Sequence, residues 1–152
     1  MFPEVLRVRI MLMLCGAPVA WRSTFQQTVA LSSTEAEYMA LSDCVKECVW
    51  GRRLLKDIGA EQTEPMVIYE DNQGAVALAK NVGYQARTKH INIRYHFIRE
   101  KVITKEVPLE YVETNNQLAD FLTKGLSVKT QRYLIMRANV GPKLETSNSV
   151  AS

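Results

Sequence analysis

The sequence predicts an α/β fold with a mixed sheet. Apolar stretches of strand length at residues 5–14, 19–23, 66–69 and 107–112 are separated by segments whose apolar residues recur at helical spacing. The order is a hairpin, then helix, strand, helix, helix, strand, helix, helix, which is the alternation of an α/β chain. A length of 152 residues, 47% hydrophobic and 23% charged, suits one domain with a core of its own.

Each element has its own signal. Residues 5–14 are apolar except for Arg7 and Arg9. They are far too short to cross a bilayer and carry no convincing cleavage site for a signal peptide, so they read as a strand. Gly16-Ala17-Pro18 is turn punctuation, and residues 19–23 return as the second strand. Ser32 with Glu35 three residues on is a capping box. It opens a long helix that runs to Ile58, where Gly59 supplies the stop. At about 100° per residue, Glu37, Ala40, Leu41, Cys44, Cys48, Gly51 and Leu55 share one stripe. Glu37 is therefore expected on the core-facing side, and Glu35 is expected to project toward solvent. Residues 66–69 form a short strand, Glu70-Asp71-Asn72 follows, and residues 73–80 are helical. Asp71 thus lies at the end of a strand, where sites form in open α/β sheets. Ile91, Tyr95, Ile98 and Val102 mark an amphipathic helix over 91–102, and Pro108 stands near the start of strand 107–112. Thr114-Asn115-Asn116-Gln117 is a second capping box, expected to open a helix through Asp120 to Lys124 that ends at Gly125. Residues 128–138 form a last helix, and the Ser/Thr-rich tail after Pro142 is expected to be disordered.

Charge and cysteine content narrow the function. The chain carries a net +3, but residues 85–105 hold six Lys or Arg and one Glu. That local excess fits either a phosphate-facing surface or a solvated helix face. Three cysteines, Cys15, Cys44 and Cys48, give no disulfide framework. Cys44 and Cys48 have no nearby His to complete a zinc site and are expected to be small core residues in a reducing compartment. Trp21, Trp50 and Tyr84 could stack on bases. Trp50 is expected to pack on its helix, which leaves Tyr84, beside basic residues, as the better candidate.

Three carboxylates have comparable addresses. Glu37 is at the start of a helix, Asp71 at the end of a strand, and Asp120 in the first turns of a late helix. Clustered carboxylates repel, and a divalent cation removes that penalty. An oxygen-only ligand set favours Mg²⁺ or Mn²⁺, and a pair of such ions can align a water against a phosphodiester. Taken singly, an Asp after a strand also reads as a helix cap, and Asp120 as a surface charge.

Four motifs make the case sharper. They are Leu31-Ser32-Ser33-Thr34-Glu35-Ala36-Glu37-Tyr38; Tyr69-Glu70-Asp71-Asn72-Gln73; residues 87–100, from Arg87-Thr88-Lys89-His90 through Arg94-Tyr95-His96 to Arg99-Glu100; and Gln117-Leu118-Ala119-Asp120 with Leu122-Thr123-Lys124. In order and spacing they closely resemble the ribonuclease H region of copia-type retrotransposon polyproteins, over roughly residues 10–142. The resemblance implies a ribonuclease H-like domain over 1–126, a C-terminal helix at 127–142 and a tail at 143–152. It implies hydrolysis of the RNA strand of an RNA–DNA hybrid with two Mg²⁺ or Mn²⁺, and Glu37, Asp71 and Asp120 as metal-binding catalytic residues. Arg87, Lys89, Arg94, Arg99, Lys101 and Tyr84 would lie along the hybrid backbone. His90 and His96 are left with local hydrogen bonding or a proton shuttle. The rest of a retrotransposon polyprotein is a further implied partner, and the cytoplasm, without a membrane, the implied location.

The sequence departs from that pattern at its start. The family's first aspartate lies on a central strand upstream of the hairpin, whereas residues 1–30 contain a single acid, Glu4, in unrelated surroundings. The expectation is an N-terminally shortened domain without the central strand, with impaired nuclease activity. The alternatives are a non-catalytic relic that binds nucleic acid weakly, and an interaction module completed by a strand from elsewhere.

Overall fold

A computed structural model describes residues 7–26, 30, 32–81, 89–122 and 125–140. Strands β1 (Arg7–Leu14) and β2 (Ala17–Phe25) form an antiparallel hairpin in which Arg7 pairs with Phe25 and Leu14 with Ala17. The turn falls at Cys15-Gly16, both at positive φ, one residue earlier than the Gly-Ala-Pro punctuation implied. Pro18 then lies inside β2, beside the register shift between Leu12 and Met13, where a strand tolerates a missing N–H. Val8, Ile10 and Leu12 alternate into the core, while β2 is exposed from Val19 to Phe25.

Helix α1 (Ser33–Asp57) starts as expected, with the Ser32 hydroxyl accepting from Glu35 N at 3.1 Å. It ends in a Schellman motif: Gly59, at φ 79°, donates to Lys56 O, and Ala60 donates to Leu55 O. Its buried residues are Ala36, Tyr38, Met39, Leu41, Ser42, Val45 and Cys48. The buried face is thus rotated about one residue from the predicted stripe, because α1 packs on β1, α2 and α3 rather than on a single sheet. Glu37, Ala40, Cys44, Gly51 and Leu55 are half-buried at its margin, and Glu35 is half-buried as well. Trp50, expected to pack on the helix, is 58% exposed.

Strand β3 (Ile68–Glu70) pairs in parallel with β4 (Leu109–Tyr111). Between them run α2 (Gln73–Lys80) and α3 (Lys89–Ile103), and α4 (Val128–Arg137) closes the chain. Tyr38 Oη donates to Tyr95 O at 3.2 Å and the two rings stack at 5.7 Å, joining α1 to α3. Tyr95 Oη donates in turn to Asn81 O, which ties α3 to the end of α2. Arg52 spans from α1 to Glu106 O and Gln62 O, holding the approach to β4. At the other end, a Cβ on Gly74 would lie 2.9 Å from Thr34, so α2 approaches α1 as closely as a glycine permits.

The architecture is α/β, but the sheet differs from expectation. Among the described residues there are two separate two-stranded sheets, β1–β2 and β3–β4, instead of one mixed sheet. Neither pair is independently stable. Both are held by α1, whose Leu41, Val45 and Cys48 share a core with Leu12 of the hairpin and Ile68 and Leu109 of the parallel pair. A second correction concerns the segment before α4. The Thr114 capping box does not form a helix; two 3-10 turns, Thr114–Asn116 and Leu118–Leu122, stand there. The Gln117 amide that was to cap Thr114 donates instead to Tyr69 O at 3.0 Å, binding this segment to β3. The tail at 143–152 lies outside the described residues.

Candidate functional site

The carboxyl end of β3 gathers acid groups. Strand alternation buries Ile68 and Glu70 and exposes Tyr69. Glu70 is 8% exposed, and one of its carboxylate oxygens accepts from Asn72 N at 2.9 Å. Burial first, and then the nearby charges of Glu37 and Asp71, push this carboxyl up to about 8 against the lowering effect of the backbone N–H groups of Asn72 and Asp71. The charges of Glu37 and Asp71, 34 positions apart in the chain, both act on Glu70. Asn72 takes the N-cap of α2, its side chain accepting from Ala75 N at 2.9 Å. The capping role weighed for Asp71 thus falls to its neighbour.

Asp120 is handled differently. It is 5% exposed, not a surface charge, because the 3-10 geometry of Leu118–Leu122 turns each residue further than an α-helix does. Its Oδ1 lies 3.2 Å from Arg9 Nη1 on β1. Among the described residues, no group of three His, Cys, Asp or Glu side chains is disposed to hold a metal ion. Glu37 and Asp71 both act electrostatically on Glu70; Asp120 is engaged by a guanidinium.

The described basic residues are also committed. Arg94 donates to Met39 O and to Asp43 Oδ1, the latter at 3.2 Å. Lys101 pairs with Glu106 at 2.7 Å and is largely buried. Arg99 stacks over the Tyr95 ring at 5.6 Å. Tyr84 and Arg87 lie outside the described residues, as do the side chains of Lys89 and His90. His96 is exposed, edge-on to Tyr95. The Cys44 thiol hydrogen-bonds to Cys48, which pushes its pKa well up; burial and the nearby Glu70 act the same way.

Two residues escaped the sequence reading. Glu70 was placed beyond the strand; extending that strand by one residue would have put it on the buried face with Ile68. Arg9 stood out as a charge in an apolar strand, but nothing local named its partner.

Comparison with known proteins places the chain among mobile-element sequences. Its homologues are retrovirus-related Pol polyproteins of copia-type transposons. It is 47% identical over 109 residues to the Retrovirus-related Pol polyprotein from transposon TNT 1-94 of Nicotiana tabacum, covering 72% of this chain and 8% of that protein. It is 46% and 44% identical over 110 residues to the corresponding polyproteins from transposons RE1 and RE2 of Arabidopsis thaliana, with the same coverage. The chain thus spans about 8% of the length of the curated relatives it matches. No family model and no solved structure matches it. No helix among the described residues is long and apolar enough to cross a membrane.

Proposed function

We propose that this chain is the ribonuclease H-like domain of a copia-type Pol polyprotein, descended from a nuclease that cuts the RNA strand of RNA–DNA hybrids and impaired in that reaction. The observation that carries the reading is buried Glu70 at the carboxyl end of β3, its carboxyl raised by burial and by the charges of Glu37 and Asp71. These acids lie in two of the four motifs, on α1 and just after β3, two elements whose Leu41 and Ile68 share one core.

The Mg²⁺ or Mn²⁺ implied by the resemblance does not fit the full set of acids. Asp120 is paired with Arg9, and no described trio is disposed to hold an ion. What these residues do on their own is bury Glu70 with its carboxyl raised to about 8, within reach of the charges of Glu37 and Asp71. The basic side chains Arg94 and Lys101 brace α3 rather than reach outward, so hybrid binding rests on the stretch around Tyr84, Arg87 and Lys89.

The test is cleavage of a labelled hybrid by the 152-residue chain with Mg²⁺ or Mn²⁺. The expected result is slow cleavage confined to the RNA strand, reduced about 100-fold or more by Asp71→Asn or Glu37→Gln. Cleavage unaffected by both substitutions contradicts the site. No cleavage at any metal concentration leaves the non-catalytic alternative.

The sheet topology favours one second reading. With β1 paired only to β2 and β3 only to β4 among the described residues, a strand from elsewhere in a polyprotein has edges to join. In that case an added first-strand peptide raises the melting temperature of the chain; an unchanged melt removes this reading.

A further inference from the structure

The chain has a second cationic run besides residues 85–105. From residue 121 to residue 144 the sequence holds Lys124, Lys129, Arg132, Arg137 and Lys143 and no Asp or Glu. Helix α4 lies inside this run and is anchored by buried Leu134, with Ala138 buried at its C-cap. On the opposite side Lys129, Arg132, Tyr133 and Met136 are spaced i, i+3, i+4, i+7, so they form one exposed stripe. Lys129 and Arg132 form no ion pair among the described residues. Arg94 and Lys101 of α3, by contrast, are paired with Asp43 and Glu106. The ring beside these two cations is fixed in place. Tyr133 Oη donates to Asn116 Oδ1 at 3.1 Å, Arg137 donates to the same oxygen at 3.3 Å, and the Arg137 guanidinium lies 5.7 Å from the ring centroid. Asn116 precedes Gln117, whose amide holds Tyr69 O of β3. The stripe is thus tied to the strand that carries Glu70.

We propose that the exposed stripe of α4 is a docking surface for a nucleic-acid backbone, with Lys129 and Arg132 meeting phosphates and the braced Tyr133 ring lying against the sugars. Unpaired surface cations with no acid nearby release counterions when they meet phosphates, and a side chain held in place beforehand loses little entropy on contact. A membrane surface fits less well. A helix lying on lipid needs a free apolar face, whereas Leu134 is spent inside the protein and the outer stripe interleaves cations with Tyr133 and Met136. An RNA–DNA hybrid is the expected ligand because of the ribonuclease H-like reading; the phosphate contact itself does not depend on it.

The test is fluorescence anisotropy of a labelled RNA–DNA hybrid, and of a DNA duplex of the same sequence, titrated with the full chain over a range of salt concentrations. Lys129→Gln/Arg132→Gln keeps good helix formers on a solvent face, so the fold is retained. It is expected to weaken binding to both nucleic acids about tenfold at ~0.1 M salt and to reduce the slope of log affinity against log salt by about 2. Lys46→Gln/Lys56→Gln removes the same charge from exposed sites on α1 that are already paired with Asp43 and Glu61. It should leave affinity within about twofold of wild type. Equal losses in the two variants would reduce the effect to net charge and overturn the docking surface. So would an unchanged affinity and slope in the α4 variant, or a wild-type chain that binds neither nucleic acid. Binding to phosphatidylserine vesicles but not to nucleic acid, lost in the α4 variant, would assign the stripe to a membrane instead. Binding through α4 without any cleavage upholds the surface while removing the nuclease, so the two readings fail separately.

Discussion

Two buried carboxyl groups, Asp120 and Glu70, avoid the cost of desolvated charge in opposite ways. Asp120 is met by a guanidinium from a strand 111 positions away in the chain. Glu70, with Glu37 and Asp71 as neighbours, holds its proton instead. A buried carboxyl needs either a partner charge or a proton, and the surroundings decide which. A domain that held its acids around a common metal would show neither solution.

The largest expected effect probes the protonated member. The folded-state pKa of Glu70, about 8, lies above its ordinary 4.5, so the folded chain binds more protons between those values. Its contribution to stability is therefore full below about pH 4.5 and is lost as pH rises through about 8. At about 1.4 kcal/mol per pKa unit, the fall is on the order of 3–5 kcal/mol. Urea unfolding at pH 5 and pH 8 measures it. Glu70→Gln should flatten the dependence, and an equally steep fall in that variant would place the proton elsewhere. Next in size, Asp120→Ala strands Arg9 in a largely buried position and should cost about 2–4 kcal/mol at pH 7 by the same assay. A loss below about 0.5 kcal/mol would mean that the pair behaves like a surface contact.

Two smaller effects sharpen the contrast. Asn72→Ala should cost about 1 kcal/mol by removing the α2 cap. Asp71→Asn should instead leave thermal stability unchanged or slightly raised, since it removes a charge that opposes ionisation of Glu70. A destabilised Asp71→Asn would give Asp71 a structural role. The smallest effect is at Arg22, whose pair with Glu47, at 2.8 Å, is closer than the Arg9 pair but exposed, with side chains 43% and 34% accessible. Arg22→Ala should cost less than about 1 kcal/mol. A larger loss would show that distance, not burial, ranks these pairs.

Much of the helical framework was legible in the sequence because its signals are local. Ser32 and Gly59 cap where capping chemistry puts them, and α2 starts and ends at the expected residues. What was not legible depended on distant partners. The buried face of α1 turned by a residue because three other elements share it. The Thr114 box failed because Gln117 found the Tyr69 carbonyl 48 positions away. At the site, strand and helix ends predicted the addresses of Glu37 and Asp71. The burial of Glu70 hung on one residue of strand length, and the engagement of Asp120 on a hairpin side chain that no local pattern connects to it. Tyr84 and Arg87, read as contacts to a hybrid, lie outside the described residues.

The most direct test of the account is a double-mutant cycle on thermodynamic stability with Arg9→Met and Asp120→Asn. A buried, charge-assisted pair predicts a coupling energy of at least about 1.5 kcal/mol, with the double variant more stable than the two single losses combined. A coupling near zero, below about 0.3 kcal/mol, would contradict it.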